Sequence, residues 1–213
     1  MNPVRCCFVT FEGVEGVGKS TQVALARDAL VAAGIEVVTT REPGGTPLAE
    51  RLRALVLDHG SEPVTPAAEL LIMYAARAQH TANLIRPALA AGRYVLCDRY
   101  ADASYAYQGG GRGVPDAQIA PLAALAQDGL LPDLTLLLDA PVAIALARAR
   151  SRAGAGDRIE AETVAFFERV RAKYLARARA EPERFRVLDA TRPAAQIAAE
   201  AATLLLALRA GGN

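Results

Sequence analysis

A glycine-rich segment in the sequence has the pattern of a phosphate-binding loop. Residues 13–20 read Gly-Val-Glu-Gly-Val-Gly-Lys-Ser and match G-x-x-x-x-G-K-[ST]. An apolar run at residues 6–11 precedes the segment, and a helical pattern that begins near Lys19 and ends at Gly34 follows it. A chance match in a glycine-bearing turn would not place a lysine and a hydroxyl at fixed offsets between a strand and a helix. The segment therefore predicts a nucleoside triphosphate site in an α/β fold.

Each residue type in such a loop has its own role in binding phosphate. Glycines allow main-chain N–H groups to converge on phosphate oxygens, and the N-terminus of the following helix adds partial positive charge. Lys19 is expected to reach the outer phosphates, and the Ser20 hydroxyl is expected to be a ligand of Mg²⁺. The sequence thus predicts that a triphosphate binds together with a magnesium ion.

Five short apolar runs alternate with helical patterns along the sequence. These strand-like runs are residues 6–11, 36–40, 94–97, 134–138 and 185–188. Short apolar strands joined by helices are typical of a parallel sheet that helices cover on both faces. No Ser/Gly-rich or Pro-rich linker divides the 213 residues. We therefore expect one domain over residues 1–213, with the three-layer α/β fold of P-loop NTPases and about five parallel strands.

Charged residues follow four of these strands, where functional groups of parallel sheets gather. They are residues 12–19 after the first strand, 41–45 after the second, 98–100 after the third and Asp139 after the fourth. One such group would be explained as a solvated strand end. Several of them beside a phosphate loop favour a common site at the carboxyl edge of the sheet.

A long helical pattern extends from Pro66 to Ala91, and Pro87 is expected to bend or interrupt it. Met73 and Arg77 are four residues apart and share one face of this helix, so they could form one wall for a flat base. A core residue beside an arginine that extends to solvent is the more ordinary interpretation of the same pair. The residues alone favour that ordinary interpretation.

Charge and cysteine content narrow the class of ligand. Lys plus Arg (24) nearly equal Asp plus Glu (23), which argues against a protein that grips long nucleic acid. Three cysteines without C-x-x-C spacing predict buried, reduced thiols rather than a disulfide framework or a metal site. Charges interrupt the apolar runs near residues 134–147 and 194–208, so no membrane partner is expected. We expect a soluble, cytoplasmic protein that binds small molecules.

Several segments together resemble bacterial thymidylate kinases. They are the phosphate loop, Arg-Glu-Pro-Gly-Gly-Thr at residues 41–46, Asp-Arg-Tyr at 98–100, Tyr-Ala-Tyr-Gln-Gly-Gly-Gly-Arg-Gly at 105–113, and the arginine-rich stretch that ends Asp-Arg-Ile-Glu at 157–160. Their joint order spans nearly the whole chain. The resemblance implies an enzyme that transfers the γ-phosphoryl group of ATP to dTMP with Mg²⁺, giving dTDP and ADP in dTTP biosynthesis. It also implies a homodimer.

The resemblance implies roles for the residues around the phosphate loop. Lys19, Glu15 and Arg99 would be catalytic, with Arg99 clamping the dTMP phosphate and Glu15 organising the metal or the acceptor side. Ser20 and Asp98 would hold Mg²⁺, Asp98 through water. The residues implied to bind ATP are Gly13, Val14, Glu15, Gly16, Val17, Gly18, Lys19, Ser20, Thr21 and Arg148.

The resemblance also implies an acceptor site. The residues implied to bind dTMP are Glu42, Pro43, Arg53, Met73, Arg77, Arg99, Ser104, Tyr107 and Gln108, and Arg41 lies in the same loop as Glu42. Arg77 would contact the base, and a tyrosine against the sugar would disfavour ribose. Many relatives have phenylalanine where this chain has Met73, and Tyr74 follows it, so either side chain could cover the thymine. Without the resemblance, Tyr107 and Gln108 would be packing residues of a helix before a flexible glycine turn at residues 109–111.

An arginine cluster before two glycines predicts a closing lid over about residues 148–160. Gly16 stands where one subgroup of these kinases has an arginine, and Arg148, Arg150 and Arg152 are expected to supply that charge. One of them would stack on adenine while another meets the transferring phosphoryl group. A solvated helix end, which the helix dipole favours, is a sufficient explanation for at least one of them. Which arginine acts stays open.

Two other functions stay open at this point. The first is another small-molecule kinase on the same fold, acting on a deoxynucleoside or a different nucleoside monophosphate. The second is a nucleotide-dependent switch or assembly ATPase without a small-molecule acceptor. The absence of an Asn/Thr-Lys-x-Asp segment, which would read guanine, and the presence of acceptor-like segments argue against the second.

Overall fold

The computed structural model describes residues 6–58, 62–151 and 158–210. Its strands are β1 Phe8–Glu12, β2 Val37–Arg41, β3 Tyr94–Asp98, β4 Leu134–Asp139 and β5 Phe185–Asp189. Its α-helices are α1 Lys19–Ala32, α2 Pro47–Leu57, α3 Pro66–His80, α4 Arg86–Ala90, α5 Ala101–Ser104, α6 Asp116–Gln127, α7 Val142–Arg150, α8 Val164–Ala180 and α9 Ala194–Ala210. Two π-helical segments, Thr81–Ile85 and Tyr105–Gly111, continue α3 and α5.

The described strands form one parallel sheet in the order β2-β3-β1-β4-β5. β1 lies in the centre, and every residue in it is buried. Phe8 belongs to one apolar cluster together with Val95, whereas Val9 belongs to another together with Leu96. Because successive strand residues point to opposite faces, both faces of the sheet are covered. The predicted α/β class, parallel sheet and number of strands are confirmed.

Strand boundaries differ from the sequence prediction by one or two residues. β1 begins at Phe8 rather than at residue 6, and Cys7 is buried just before it. Glu12, Asp98 and Asp139, which were expected after their strands, are the last residues of β1, β3 and β4. A strand can end on a carboxylate because its backbone still pairs with the neighbouring strand while the side chain finds its own donors.

The long helical pattern of residues 66–91 is interrupted before its proline. Thr65 caps α3 by accepting a hydrogen bond from Ala68, with Pro66 in the first turn as expected. The π-helical turn Thr81–Ile85 then separates α3 from α4, and Pro87 lies in the first turn of α4. Pro87 has no N–H group to donate to the carbonyl oxygen one turn earlier. The wider π-helical turn before it accommodates the loss of this hydrogen bond.

The glycine triplet at residues 109–111 is helical and closely packed, so the expectation of a flexible turn is wrong. These residues end the π-helical segment Tyr105–Gly111, which lies against α8. A Cβ on Gly111 would lie 2.4 Å from Cε2 of Phe166, and a Cβ on Gly110 would lie 2.8 Å from Cβ of Lys173. Glycine is required here because the two helices approach closely. The segment that carries Tyr107 is therefore held firmly on α8.

Candidate active site

The phosphate loop connects β1 to α1 and lies close to β4 and α7. Gly13 and Gly16 have φ angles of 135° and 79°, which L side chains rarely adopt. A Cβ on Gly13 would lie 2.4 Å from the carbonyl oxygen of Leu138, and one on Gly16 would lie 1.8 Å from that of Ala145. The loop backbone thus fits a space that only glycine leaves open, and its N–H groups can converge on an anion.

Lys19 begins α1 and extends back along the loop. Its Nζ donates to the carbonyl oxygens of Gly13 at 3.1 Å and Val14 at 2.9 Å, and the residue is 6% exposed. Burial lowers the pKa of this ammonium, and the nearby Arg99 charge lowers it further. The nearby carboxylates of Glu15, Asp98 and Glu12 raise the pKa of Lys19, and a bound phosphate group would add further negative charge beside this desolvated cation.

A polar cavity, here called the phosphate cavity, opens at the carboxyl ends of β1, β2 and β3. Its lining residues are Glu15, Gly16, Gly18, Lys19, Ser20, Arg41, Glu42, Arg53, Asp98, Arg99 and Glu160. This confirms that the charged residues after the first three strands gather at one place. Asp139 at the end of β4 is different, because Arg171 of α8 pairs with both of its oxygens at 2.7 and 2.8 Å. Asp139 does not line this cavity.

Arg99 follows β3 in a left-handed conformation, with a φ of 71°. Its guanidinium donates to Glu15 Oε1 at 2.6 Å, to the carbonyl oxygen of Gly13 at 2.7 Å, and to the hydroxyls of Tyr107 and Tyr174 at 3.0 and 3.2 Å. The guanidinium carbon lies 4.8 Å from the centre of the Tyr107 ring. Although burial works against the charge, these neighbours raise the pKa of Arg99. The result is a permanent, oriented positive charge beside the phosphate loop.

Glu12 is a buried carboxyl group that the sequence placed with the phosphate loop at the end of the first strand but for which it predicted no role. It accepts hydrogen bonds from the backbone N–H of Tyr100 and from the hydroxyl of Tyr174, both at 2.7 Å. Burial, followed by the nearby Asp102 charge, raises its pKa to about 8. The Tyr174 hydroxyl also accepts a hydrogen bond from Arg99, and Tyr100 is the residue that follows Arg99 in the chain. Glu12 therefore holds Arg99 in place through both of these tyrosines. Its place at the end of an otherwise apolar strand was the available signal.

A second cavity, here called the apolar cavity, adjoins the phosphate cavity. Its lining residues are Glu15, Glu42, Pro43, Arg53, Leu57, Met73, Arg99, Ala103, Tyr107, Gln108 and Ile159. The two cavities share Glu15, Glu42, Arg53 and Arg99. A ligand with an apolar end and an anionic end could therefore occupy both at once.

Two of the predicted acceptor residues lie behind this cavity rather than in its lining. Arg77 is fully buried and donates to Glu42 Oε2 at 2.7 Å, to Ser104 Oγ at 3.0 Å and to the carbonyl oxygen of Tyr100 at 2.9 Å. Neither Arg77 nor Ser104 is among the lining residues. The other oxygen of Glu42 is 3.0 Å from Nδ1 of His80. Arg77 and His80 therefore fix both carboxylate oxygens of a residue that faces the cavity.

Met73 and Tyr74 occupy different surroundings. Met73 lines the apolar cavity, whereas the Tyr74 ring lies 4.6 Å from the guanidinium carbon of Arg77 and packs in a cluster with Ile119 of α6. Successive helical residues point about 100° apart, so only one of the two can face a given side. The structure places Met73 at the cavity.

A third cavity, here called the rear cavity, lies on the other side of the phosphate loop. Its lining residues are Gly16, Val17, Gly18, Thr21, Gln22, Arg148, Ala190, Thr191, Arg192, Pro193, Ala194 and Ile197. Arg148 donates to the carbonyl oxygen of Ala190 at 2.6 Å, which fixes its guanidinium across this opening. The segment after β5 was not among the predicted site residues, although functional groups follow parallel strands and β5 is one of them.

The remaining lid arginines have separate positions. Arg150 is the last residue of α7, is exposed, and lines none of the three cavities. Arg152 lies outside the described residues. Arg158 donates to the carbonyl oxygen of Val56 at 2.9 Å and to Glu69 Oε2 at 2.5 Å, so it is held against α2 and α3. Within the described part of the proposed lid, Arg148 thus lies at the rear cavity, whereas Arg158 is held against α2 and α3.

Comparisons with known proteins identify the family. The family model described as Thymidylate kinase matches residues 11–201. The thymidylate kinase of Chromohalobacter salexigens is 58% identical over 193 residues, which cover 90% of each chain. That of Pseudomonas savastanoi pv. phaseolicola is 54% identical over 207 residues, covering 96% of this chain and 98% of the relative. The chain belongs to the thymidylate kinase family. The crystal structure of thymidylate kinase from Ehrlichia chaffeensis matches with a TM-score of 0.76 at 31% identity, covering 94% and 98% of the two chains.

Thymidylate kinases are ATP:dTMP phosphotransferases, and a magnesium site fits the phosphate cavity of this family member. Ser20 and Asp98 both line that cavity and supply one hydroxyl and one carboxylate. The described part of the chain contains no group of three or more His, Cys, Asp or Glu residues that could hold a metal. Mg²⁺ suits so sparse a site because it retains several waters and takes substrate phosphate oxygens as ligands. Within residues 6–58, 62–151 and 158–210, no helix has the length and apolarity needed to cross a bilayer.

Proposed function

We propose that this chain transfers the γ-phosphoryl group of ATP to dTMP, giving dTDP and ADP. The observation that carries the proposal is the connection between two cavities of unlike chemistry. The phosphate cavity borders the glycine loop, the apolar cavity can hold a base and sugar, and Arg99 and Glu15 line both. Two nucleotides bound in this way would meet with their phosphates end to end, which is the geometry of phosphoryl transfer between them.

The reaction needs charge neutralisation and alignment rather than a strong base, because the acceptor is already a phosphate oxyanion. In the proposed assignment, Lys19 and the loop amides hold the donor phosphates, and Arg99 holds the acceptor phosphate. Glu15 keeps the Arg99 guanidinium in position through the 2.6 Å hydrogen bond. Mg²⁺, held by the Ser20 hydroxyl and, through water, by Asp98, would neutralise charge on the donor phosphates.

The proposed acceptor contacts follow the lining of the apolar cavity. Met73 would cover one face of the thymine through its thioether, and Tyr107 would lie against the deoxyribose. Arg53 lines both cavities and donates to the carbonyl oxygen of Pro43 at 2.9 Å, which supports a contact with the acceptor phosphate and sugar. For Arg77 we propose that it acts on the base side while remaining bonded to Glu42.

The proposed donor contacts lie at the rear cavity. Arg148 would stack on the adenine, because its guanidinium is fixed by Ala190 beside the phosphate loop. The backbone of residues 190–194 would form the rest of the adenine pocket. Arg150 and Arg152 would approach the transferring phosphoryl group when the lid closes. We further propose a single domain, a homodimer and a cytoplasmic location for this enzyme, with small-molecule substrates only.

An acceptor panel tests the proposed function. With ATP and Mg²⁺, ADP release is measured with dTMP, dCMP, dGMP, AMP and thymidine, and the product is identified by mass. We expect dTMP to be used far faster than the others and dTDP to be the product. Faster turnover with another acceptor would favour a different nucleotide kinase. Slow ATP hydrolysis that no acceptor stimulates would favour a nucleotide-dependent switch.

A further inference from the structure

A buried carboxylate lies directly behind the apolar cavity and contacts one of its lining residues. Glu69 of α3 is 1% exposed and does not line the cavity. Its Oε1 accepts a hydrogen bond from Nε2 of Gln108 at 2.8 Å. Gln108 is fully buried, lines the cavity, and belongs to the π-helical segment held on α8. The NH₂ group of the Gln108 amide is therefore hydrogen-bonded to a side chain outside the cavity.

Two arginines keep Glu69 ionised. Arg158 donates to Oε2 of Glu69 at 2.5 Å, and Arg112 donates to Oε1 at 3.3 Å. Burial alone would raise the pKa of Glu69, but the hydrogen bonds from Gln108 and Arg158 and the charge of Arg112 outweigh it and lower the pKa. An ionised carboxylate has only acceptor atoms. The Glu69 carboxylate thus accepts from each of its partners in the described part of the chain, Gln108, Arg112 and Arg158.

The charge of Glu69 determines the orientation of the Gln108 amide. An acceptor-only neighbour must face the NH₂ group of a glutamine, because turning the amide over would bring its carbonyl oxygen against the carboxylate. Oε1 of Gln108 is then the atom left for the cavity. It is buried and has no hydrogen-bond partner among the described residues. A buried carbonyl oxygen without a donor is costly, and a ligand that brings an N–H group would satisfy it.

We propose that Glu69 is a positioning residue for base selection, which fixes the Gln108 amide so that its carbonyl oxygen faces the bound base. This inference rests on the proposed function. Thymine carries an N–H group at ring position 3, where cytosine has a bare nitrogen that can only accept a hydrogen bond. The fixed carbonyl oxygen therefore attracts thymine and repels the electron pair of cytosine. Selection against the wrong base arises from an unpaired polar contact rather than from size.

The test compares two acceptors that differ in the base only at ring position 3 and at the exocyclic group on C4. dTMP and 5-methyl-dCMP share the 5-methyl group, sugar and phosphate, so the ratio of their kcat/KM values isolates base selection. Glu69→Gln keeps the shape of the side chain but gives it a donor as well as an acceptor, which allows the Gln108 amide to turn over. We expect this ratio to fall by about tenfold or more, through a loss with dTMP and a gain with 5-methyl-dCMP.

Two further variants separate positioning from general stability. Glu162→Gln is the matched control, since Glu162 also pairs with Arg112 but has no hydrogen bond to Gln108. It should leave the selectivity ratio unchanged within about twofold. Glu69→Asp, which still has only acceptor atoms, should restore most of the preference for dTMP. Loss of both activities in equal proportion in Glu69→Gln would overturn the proposal and leave Glu69 a packing residue.

A second substitution keeps the proposal testable if Glu69→Gln does not fold. Gln108→Met removes the amide at similar length, and it should reduce kcat/KM for dTMP while leaving that for 5-methyl-dCMP within about threefold. Equal losses with both acceptors would overturn the proposal. If wild-type enzyme converts dTMP to dTDP but Glu69→Gln retains its selectivity, only the role of Glu69 fails. If wild-type enzyme does not phosphorylate dTMP, the proposed function and this inference fail together.

Discussion

Replacement of Arg99 by methionine should impair the use of dTMP much more than the use of ATP. Methionine has a similar length and apolar stem but no charge, so the change removes the guanidinium without opening a large cavity. In the structure this guanidinium makes four hydrogen bonds, and its side chain is 12% exposed. It is therefore largely desolvated, and contacts that it makes to a phosphate group are weakly screened.

The size of the effect follows from the number of contacts that a phosphate would make to this guanidinium. A bidentate arrangement has two charge-assisted hydrogen bonds of about 1.5–3 kcal/mol each, or about 3–6 kcal/mol together. That corresponds to a loss of about 10²- to 10⁴-fold in kcat/KM for dTMP. The KM for ATP should change by less than about fivefold, because Lys19 and the loop amides remain in place.

The assay is steady-state ADP release with each substrate varied in turn, together with a thermal melt of each variant. Arg171→Met is the matched control, since Arg171 is also a paired arginine but lines none of the three cavities. The control should retain kcat/KM for dTMP within about threefold. A higher KM for ATP in Arg99→Met, with use of dTMP unaffected, would refute the assignment of Arg99 to the acceptor.

Three shorter predictions concern the loop, a buried carboxyl and the glycine triplet. Lys19→Met should lower kcat by about 10³-fold or more, measured by ADP release, and near-normal turnover would contradict its role. Glu12 holds its proton to about pH 8 in the folded protein and releases it near 4.5 when unfolded. The folded state binds more protons between these values, so this site's contribution to the free energy of unfolding falls as pH rises, by at most about 1.4 kcal/mol per pH unit. Urea titrations at pH 6, 7 and 8 should show a flatter dependence for Glu12→Gln, and equal slopes would exclude a raised pKa. Gly111→Ala should destabilise the fold by about 1–3 kcal/mol because its Cβ would overlap the Phe166 ring, and an unchanged melting temperature would show that α8 can move away.

The sequence predicted the elements whose signals are local. An apolar run before the loop and an amphipathic pattern after it identify β1 and α1, because strand and helix periodicities are visible in short windows. Parallel pairing then brings the residues after β1, β2 and β3 to one edge, and the structure confirms the common cavity. The choice between Met73 and Tyr74 was not accessible, since it depends on the exact rotation of α3 against its neighbours.

Long-range pairing explains most of what the sequence did not predict. Asp139 has the same position at a strand end as Asp98, yet Arg171 of α8 pairs with it, 32 residues along the chain. The glycines at residues 109–111 have the composition of a flexible turn, and only their contact with Phe166 shows why side chains are excluded. Glu69 has no motif of its own, because its importance arises from the three side chains that converge on it.

A crystal structure with dTMP and a non-hydrolysable ATP analogue bound together would show whether the two nucleotides meet with their phosphates end to end. We expect the dTMP base to lie in the apolar cavity beside Met73 and Gln108, with its phosphate on Arg99. The terminal phosphate of the analogue should lie in the phosphate loop and in line with the dTMP phosphate. A thymidine nucleotide bound in the rear cavity, or phosphates of the two ligands that point away from one another, would contradict the account.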